Sequence, residues 1–311
     1  MKKSIASDKT STMAGLQHRL LEAFRIQGDL IRGNATPLVN RLRNSALKEF
    51  EAQGFPSTKM ESWRFTDLET RLMHDFTLDF RNQSRSFDVN EIFTCDVYDL
   101  DTFSVTLLNG WYVYKHAPLT RLADGTVIGS LARAMEVYPE LIDSHLGQAA
   151  NTASTAMTAL NTAFLQDGLF VYVPEGVRVE KPIQLINIVN SKQPLLIQPR
   201  HLVIAGRDSR LTLVHCDHSL THSPSFTNTV LEIFVGERAF VDHYKIQNKG
   251  RESALLTSNY YVQEKDSHLQ SNMLTLNGGF TRNMVQARLT QPGCRSEHSG
   301  LYLVDNDQTT L

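Results

Sequence analysis

Phe240-Val241-Asp242-His243-Tyr244-Lys245-Ile246 is the stretch on which the fold turns. Successive side chains of a strand point to opposite faces, so this segment reads as a strand with one side turned inward. His243 and Tyr244 must then part, one toward a core and the other toward solvent. On both sides of it the chain repeats the same texture. Strand-like runs cover Leu169–Val173, Ile183–Val189, His201–Ala205, Leu211–His215, Val230–Val235, Leu255–Val262, His268–Leu276, Asn283–Leu289 and Gly300–Val304. Gly176, Gly206, Gly236, Gly250, Gly278, Gly279 and Gly293 punctuate them, and hardly a helix intervenes. Short strands with turn signals suit a sandwich or barrel. A β-helix gives the same texture, and the spacing is too irregular to prove a repeat. The inward-facing alternation of residues 240–246 favours the solenoid.

Upstream the pattern is helical. Residues 1–12 are polar and rich in Ser and Thr, which predicts a disordered tail. Leu16, Leu20 and Phe24 recur every fourth residue and mark an amphipathic helix that ends near Gly28. A second helix is predicted over Pro37–Gln53, with Leu38, Leu42, Leu47 and Phe50 on its buried side and Gly54 and Pro56 beyond its end. Ile92 and Phe93 open a half-buried segment, with Cys95 as buried packing. Val105–Leu108, Asn109-Gly110 and Trp111–Tyr114 form a hairpin signature, because Asn-Gly accepts the positive φ angles of a type I′ turn. Helices are predicted over Ser130–Tyr138, from Pro139 to about His145, and over 156–167. The shift in texture divides the chain into a tail at 1–12, a helical and mixed domain at 13–160 and a β domain at 161–311.

Composition narrows the function. Lys and Arg number 31 against 33 acidic residues, a net charge of −2. That balance argues against broad nucleic-acid binding, which needs a basic surface. No run of about eighteen apolar residues predicts a membrane helix. Lys2 and Lys3 lead into polar residues and not into the apolar stretch of a secretory signal. Three widely spaced cysteines, Cys95, Cys216 and Cys294, fit the reducing cytoplasm. There is no Gly-x4-Gly-Lys-[Ser/Thr] loop, Gly-x-Ser-x-Gly elbow or His-Glu-x-x-His helix.

His215-Cys216-Asp217-His218 with His222 is the one metal-like cluster, since imidazole and thiolate suit zinc or iron. On a strand ending at His215, His215 and Asp217 share a face and Cys216 takes the other. The remaining chemistry then falls on the loop up to His222. The competing reading is a strand end and polar turn that happen to carry histidines. Cys294 lies beside Arg295 in a turn, where a cation can lower a thiol pKa, although an incidental surface thiol is the commoner case. Trp63 and Arg64 are a candidate cation–π pair, with docking of the connecting segment as the other role.

Lys59-Met60-Glu61-Ser62-Trp63-Arg64-Phe65-Thr66-Asp67-Leu68 fits neither a helix face nor a strand face. It resembles the Lys-x-Glu-x-Trp-Arg-[Tyr/Phe]-Thr segment of the SufB/SufD family, on its SufD side. The residues that carry this motif are Lys59, Glu61, Trp63, Arg64 and Thr66. Further matches follow in order. They are Ala159–Phe164 with Asp167-Gly168, Val173–Gly176 with Val179–Ile183, Arg200–Val203, Leu211–Val214, and His243-Tyr244-Lys245 with Ile246-Gln247. Gly278-Gly279 with Arg282-Asn283 and Gly300–Leu303 complete the series. One departure is Glu237-Arg238-Ala239, where the family commonly has Glu-Asn-Ala.

The resemblance implies an N-terminal helical domain followed by a right-handed parallel β-helix. It also implies a scaffold role in iron–sulfur cluster assembly with no enzyme activity of the chain alone. The implied partners are a SufB-type paralogue and a SufC-type ATPase. No cofactor is implied for this chain by itself, and a transient iron–sulfur cluster would be shared with the partner. Family members continue past the position of Leu311, so the resemblance implies a β-helix incomplete at its C-terminal end, with weakened partner contacts. Two rival readings stand beside it. One is a β-helix polysaccharide lyase or hydrolase using acids such as Asp242, Glu264 and Asp266; the other is an interaction module without a cluster role.

Overall fold

The computed structural model describes residues 12–33, 35–78, 80–81, 85–86, 100–114, 116–153, 155–305 and 308–311. The expectations for the tail at 1–11, for Ile92 and Phe93 and for Cys95 lie outside the described residues. Helix α1 (Met13–Ile26) starts at Thr12, whose hydroxyl accepts from Gly15 N. Helix α2 (Gly28–Arg32) follows it directly. Helix α3 (Pro37–Gln53) starts at Thr36, whose hydroxyl accepts from Val39 N, and ends at Gly54 with φ 67°. Its buried face is Val39, Arg43, Ala46 and Phe50, while Leu38 is exposed and Leu42 and Leu47 are half-buried. Phe50 is buried as expected, but Val39, Arg43 and Ala46 take the places expected of Leu38, Leu42 and Leu47, since hydropathy counts Arg43 as polar. Arg43 is buried, and its guanidinium donates to the carbonyls of Arg32 and Leu165 and to Asn40.

A short 3₁₀ turn (Glu61–Trp63) and α4 (Glu69–Leu72) lead into the strands. These are β1 (Arg85–Ser86), β2 (Phe103–Leu108), β3 (Trp111–Tyr114), β4 (Leu119–Arg121) and β5 (Val127–Ser130). Strands β2 and β3 pair antiparallel across Asn109 (φ 53°) and Gly110 (φ 83°), the predicted hairpin. Helices α5 (Leu131–Val137), α6 (Pro139–His145) and α7 (Ala156–Ala163) follow. The rest is strand: β6 (Leu169–Val173), β7 (Ile183–Val189), β8 (Leu195–Ile197), β9 (Arg200–Ala205), β10 (Arg210–Ser219), β11 (Ser225–Val235), β12 (Phe240–Asn248), β13 (Ser253–Gln263), β14 (His268–Asn277), β15 (Phe280–Leu289), β16 (Arg295–Tyr302) and β17 (Thr309–Thr310). The last predicted strand is corrected: it is Arg295–Tyr302 and not Gly300–Val304.

From β6 onward the chain passes back and forth between two sheets, with β8 and β9 both beside β11 on the same one, and these strands pair with one another in parallel. The protein is a parallel β-solenoid of about five turns. One sheet runs β1-β3-β2-β7-β10-β12-β14-β16 and the other β17-β15-β13-β11-β9-β6-β5-β4. Both therefore take in strands from the region before residue 160. Strand β2 joins β7 in parallel, and β5 joins β6 antiparallel.

One corner of each coil is a tight turn with a left-handed residue: Gly176, Asp208, Arg238, Asp266 and Gly293. These turns stack. Gly176 N donates to Arg207 O, Asp208 N to Glu237 O, Arg238 N to Lys265 O and Asp266 N to Pro292 O. Arg238 thus stands in a conformation that asparagine adopts more readily, and its guanidinium is tied to Asp208 at 2.7 Å.

Helices α1, α3 and α7 pack with Trp63 and Phe76 on the outer face of the second sheet, against Phe226, Ala254, Leu256 and Phe280. Even-numbered residues of β11 face these helices, and odd-numbered residues face the solenoid lumen. Near the tight turns the lumen is apolar, lined by Val171, Leu185, Val203, Leu213, Ile233 and Val241. Farther from them it turns polar.

Candidate functional site

Strand β12 sends Val241, His243, Lys245 and Gln247 inward, and all four are buried. Tyr244 is 36% exposed on the other side, as alternation requires. Strand β10 runs beside β12 in register, placing His215 next to Lys245 and Asp217 next to Gln247. The result is a buried file of polar groups along the lumen: His201, His215, Asp217, His243, Lys245 and Lys249. Asp217 accepts from Asn187 Nδ2 at 2.9 Å, and lies 3.4 Å from His215 Nε2 and 3.5 Å from Lys245 Nζ. His243 Nδ1 is 3.0 Å from the Tyr261 hydroxyl, which is 3.0 Å from Ser271 Oγ. Lys249 Nζ donates to Thr227 Oγ1 at 3.1 Å. Lys245 Nζ, Thr229 Oγ1, both ring nitrogens of His215 and Nε2 of His201 and His243 have no hydrogen-bond partner within the protein. Buried groups of this kind are costly unless something satisfies them.

The metal-like cluster does not assemble. Strand β10 continues to Ser219, so His215 and Asp217 enter the lumen while Cys216 and His218 turn to the opposite face. His222 is exposed in the following loop. Among the described residues, no group of three or more His, Cys, Asp and Glu side chains is arranged to hold a metal ion. The acids of the lyase reading are also scattered. Asp242 lies on the outward side of β12, 3.9 Å from Arg210, and Glu264 and Asp266 sit in a corner turn. The Cys294 thiol donates to Glu264 O and Gln291 O, and the guanidinium of Arg295 turns to Glu297.

The Trp63 segment is a clamp. Arg282, on β15, stacks over Trp63 with its guanidinium 4.4 Å from the ring centroid. The same guanidinium donates to Thr66 Oγ1 at 2.5 Å and to Ser62 O at 2.7 Å. Trp63 and Thr66 are buried. The expected Trp63–Arg64 pair is corrected, because Arg64 lies over Phe65 at 5.3 Å. Glu61–Trp63 forms a 3₁₀ turn that directs Trp63 inward, leaving Lys59, Glu61 and Arg64 exposed. Asp67 accepts from Glu69 N at the start of α4.

Two family models match in sequence order: the SufBD protein N-terminal region over residues 14–185, and the SUF system FeS cluster assembly SufBD core domain over residues 187–310. The chain belongs to the SufBD family. It is 22% identical to the iron–sulfur cluster assembly SufBD family protein slr0076 of Synechocystis, over 93% of this chain and 65% of that protein. Against the iron–sulfur cluster assembly protein SufD of Bacillus subtilis it is 25% identical, over 68% of this chain and 48% of the relative. The corresponding SufB of that organism is 26% identical over 51% and 34%. This SufBD chain spans less than two thirds of the length of each of these relatives. No helix among its described residues is long and apolar enough to cross a membrane.

In this SufBD chain, burial first, and then mutual charge within the cluster, pushes His201 and His243 well below the usual imidazole range and lowers His215. All three are therefore buried neutral. The unfolded chain takes up these protons near pH 6.5 and the folded chain resists them. Their contribution to stability is complete above that pH and shrinks as the pH falls below it. Asp217 acts in the same direction at lower pH. Burial alone would raise it, but the Lys245 ammonium beside it holds it well below the ordinary carboxylate range. Urea unfolding is expected to show stability falling from pH 6.5 to 5.0, by about 1.4 kcal/mol per pH unit for each proton taken up. A flat profile over that range would contradict the buried neutral histidines.

Sequence reading named His215, His243 and Lys245 but missed His201, Asn187, Thr229 and Lys249 as parts of one file. The signal was present in the alternation of β12. It became legible only once neighbouring strands were known to be parallel and in register.

Proposed function

We propose that this chain is a SufD-like scaffold component of iron–sulfur cluster assembly, acting in the cytoplasm with a SufB-type subunit and a SufC-type ATPase. The observation that carries the reading is the ordered match of both SufBD regions across nearly the whole chain, joined to relatives whose names place them in cluster assembly. The Lys59–Thr66 segment supports the SufD side of the family. The sequence contains no phosphate-binding loop, so ATP hydrolysis falls to the partner. Iron and sulfide are cargo shared across the complex and are not a resident group of this chain.

The test is rescue in a cell lacking its own SufD-type subunit. Expression of the chain is expected to restore the activity of iron–sulfur enzymes in the lysate. Failure of that activity to recover, with the chain folded and present at the level of the missing subunit, would overturn the reading.

A further inference from the structure

Helices α2, α3 and α5 meet strand β3 around a cavity of about 140 Å³. Ile31, Trp111, Ala132 and Met135 give it apolar walls, and Arg32, Arg43 and Glu136 bring charge to it. Leu30 and Gly33 also line it and are exposed, so it has a mouth toward solvent. It shares no lining residue with the lumen file or with the Trp63 clamp.

Arg43 is the unusual group. It is only 2% exposed, yet its acceptors, Arg32 O, Leu165 O and Asn40 Oδ1, are all neutral. Its Nε–H has no acceptor within the protein. A guanidinium stays charged in proteins. Here burial, and then the nearby Arg32 charge, pull it down only to about 10. The other charges around the cavity are already engaged: Glu136 pairs with Arg133, and Arg32 lies 3.5 Å from Asp29. A buried charge without a counter-ion and a buried donor without an acceptor are both strongly disfavoured. One carboxylate in the cavity would answer both.

We propose that this cavity binds a compact monocarboxylate, with one carboxylate oxygen accepting from Arg43 Nε and the apolar body against Trp111 and Met135. The lining sets the class. One uncompensated cation calls for one negative charge, which a phosphate or a dicarboxylate exceeds. A cavity of roughly 150 Å³ holds a benzene ring, so the body is no larger than a single ring or a short alkyl chain. A bound acid touches α2, α3, α5 and β3 at once and so stabilises the folded chain.

Benzoate is the probe and benzamide its neutral control. At constant ionic strength, replacing chloride by benzoate is expected to raise Tm along a saturable curve, by about 4 °C once benzoate is roughly a hundredfold above its Kd. Benzamide is expected to give no such curve. Ala132→Leu narrows the cavity without altering Arg43, and is expected to abolish the rise while the variant still melts cooperatively. Crystals of the unaltered chain soaked in benzoate are expected to show its carboxylate at Arg43 Nε. An equal rise with benzamide, an equal rise in A132L or benzoate density away from Arg43 would overturn the proposal, as would the absence of any saturable rise.

Discussion

Glu232→Ala is expected to cost about 3–5 kcal/mol of stability, the range for removing one partner of a buried ion pair. Glu232 and Arg200 are both fully buried, 2.5 Å apart, where the helical region meets the second sheet. One carboxylate oxygen also accepts from Gly147 N at 2.9 Å, and the other from Ala149 N and Ala150 N at 3.0 Å. Arg200 in turn donates to Asn161 and Thr162 of α7. Truncation leaves the guanidinium without its counter-charge and three amide groups without acceptors. The loss should show as a lower urea midpoint and as new protease cleavage in the 147–153 loop. Replacing both partners, Arg200→Met with Glu232→Met, is expected to cost less than Glu232→Ala alone, because no charge is left behind. An unchanged midpoint for Glu232→Ala would show that the joint is held elsewhere.

Gly168→Ala and Gly279→Ala are expected to abolish the soluble folded chain. A methyl group at 168 would fall 1.6 Å from Arg200 O, and one at 279 would fall 1.7 Å from Arg251 O. Neither neighbour is a flexible side chain that could swing aside. The backbone around Arg200 is pinned by its amide, which donates to Asp167 O. Asp167 is itself fixed by donors from Tyr112, Ser130, Ala132 and Gly168. Relief would require parting adjacent coils, so the cost belongs to the exceptional class above about 4–5 kcal/mol. Gly300→Ala is the control. It has no atom within 4 Å of an added methyl and should shift stability by no more than about 0.5 kcal/mol. Circular dichroism and gel filtration of the three variants separate the outcomes. A soluble, cooperatively melting Gly168→Ala would refute the close-packing argument.

Much of the local structure was legible in the residues. Pro37 and Gly54 mark the two ends of α3, and Asn109-Gly110 marks the β2–β3 hairpin, because each places a specific backbone chemistry at a specific position. The solenoid was harder. Arg210 stands beside Phe240, Phe240 beside His268 and His268 beside Arg295, so the offset between coils shortens along the chain. A drifting offset hides a repeat from any fixed-period search. The joining of β2 to β7 and the clamp of Arg282 on Trp63 connect residues remote in sequence, which no window of periodicity can register. The lumen misled for another reason. His215, Asp217 and Lys245 have the composition of a solvated face, and only in-register parallel stacking of β7, β10 and β12 turns that composition inward.

In the proposed role the stacked tube meets other subunits of an assembly. The most direct test is the mass, by light scattering, of this chain purified after co-expression with SufB-type and SufC-type proteins. The expected result is one peak containing all three polypeptides, at a mass well above that of the chain alone. A folded chain that elutes at its monomer mass, with neither partner in its peak, would contradict it.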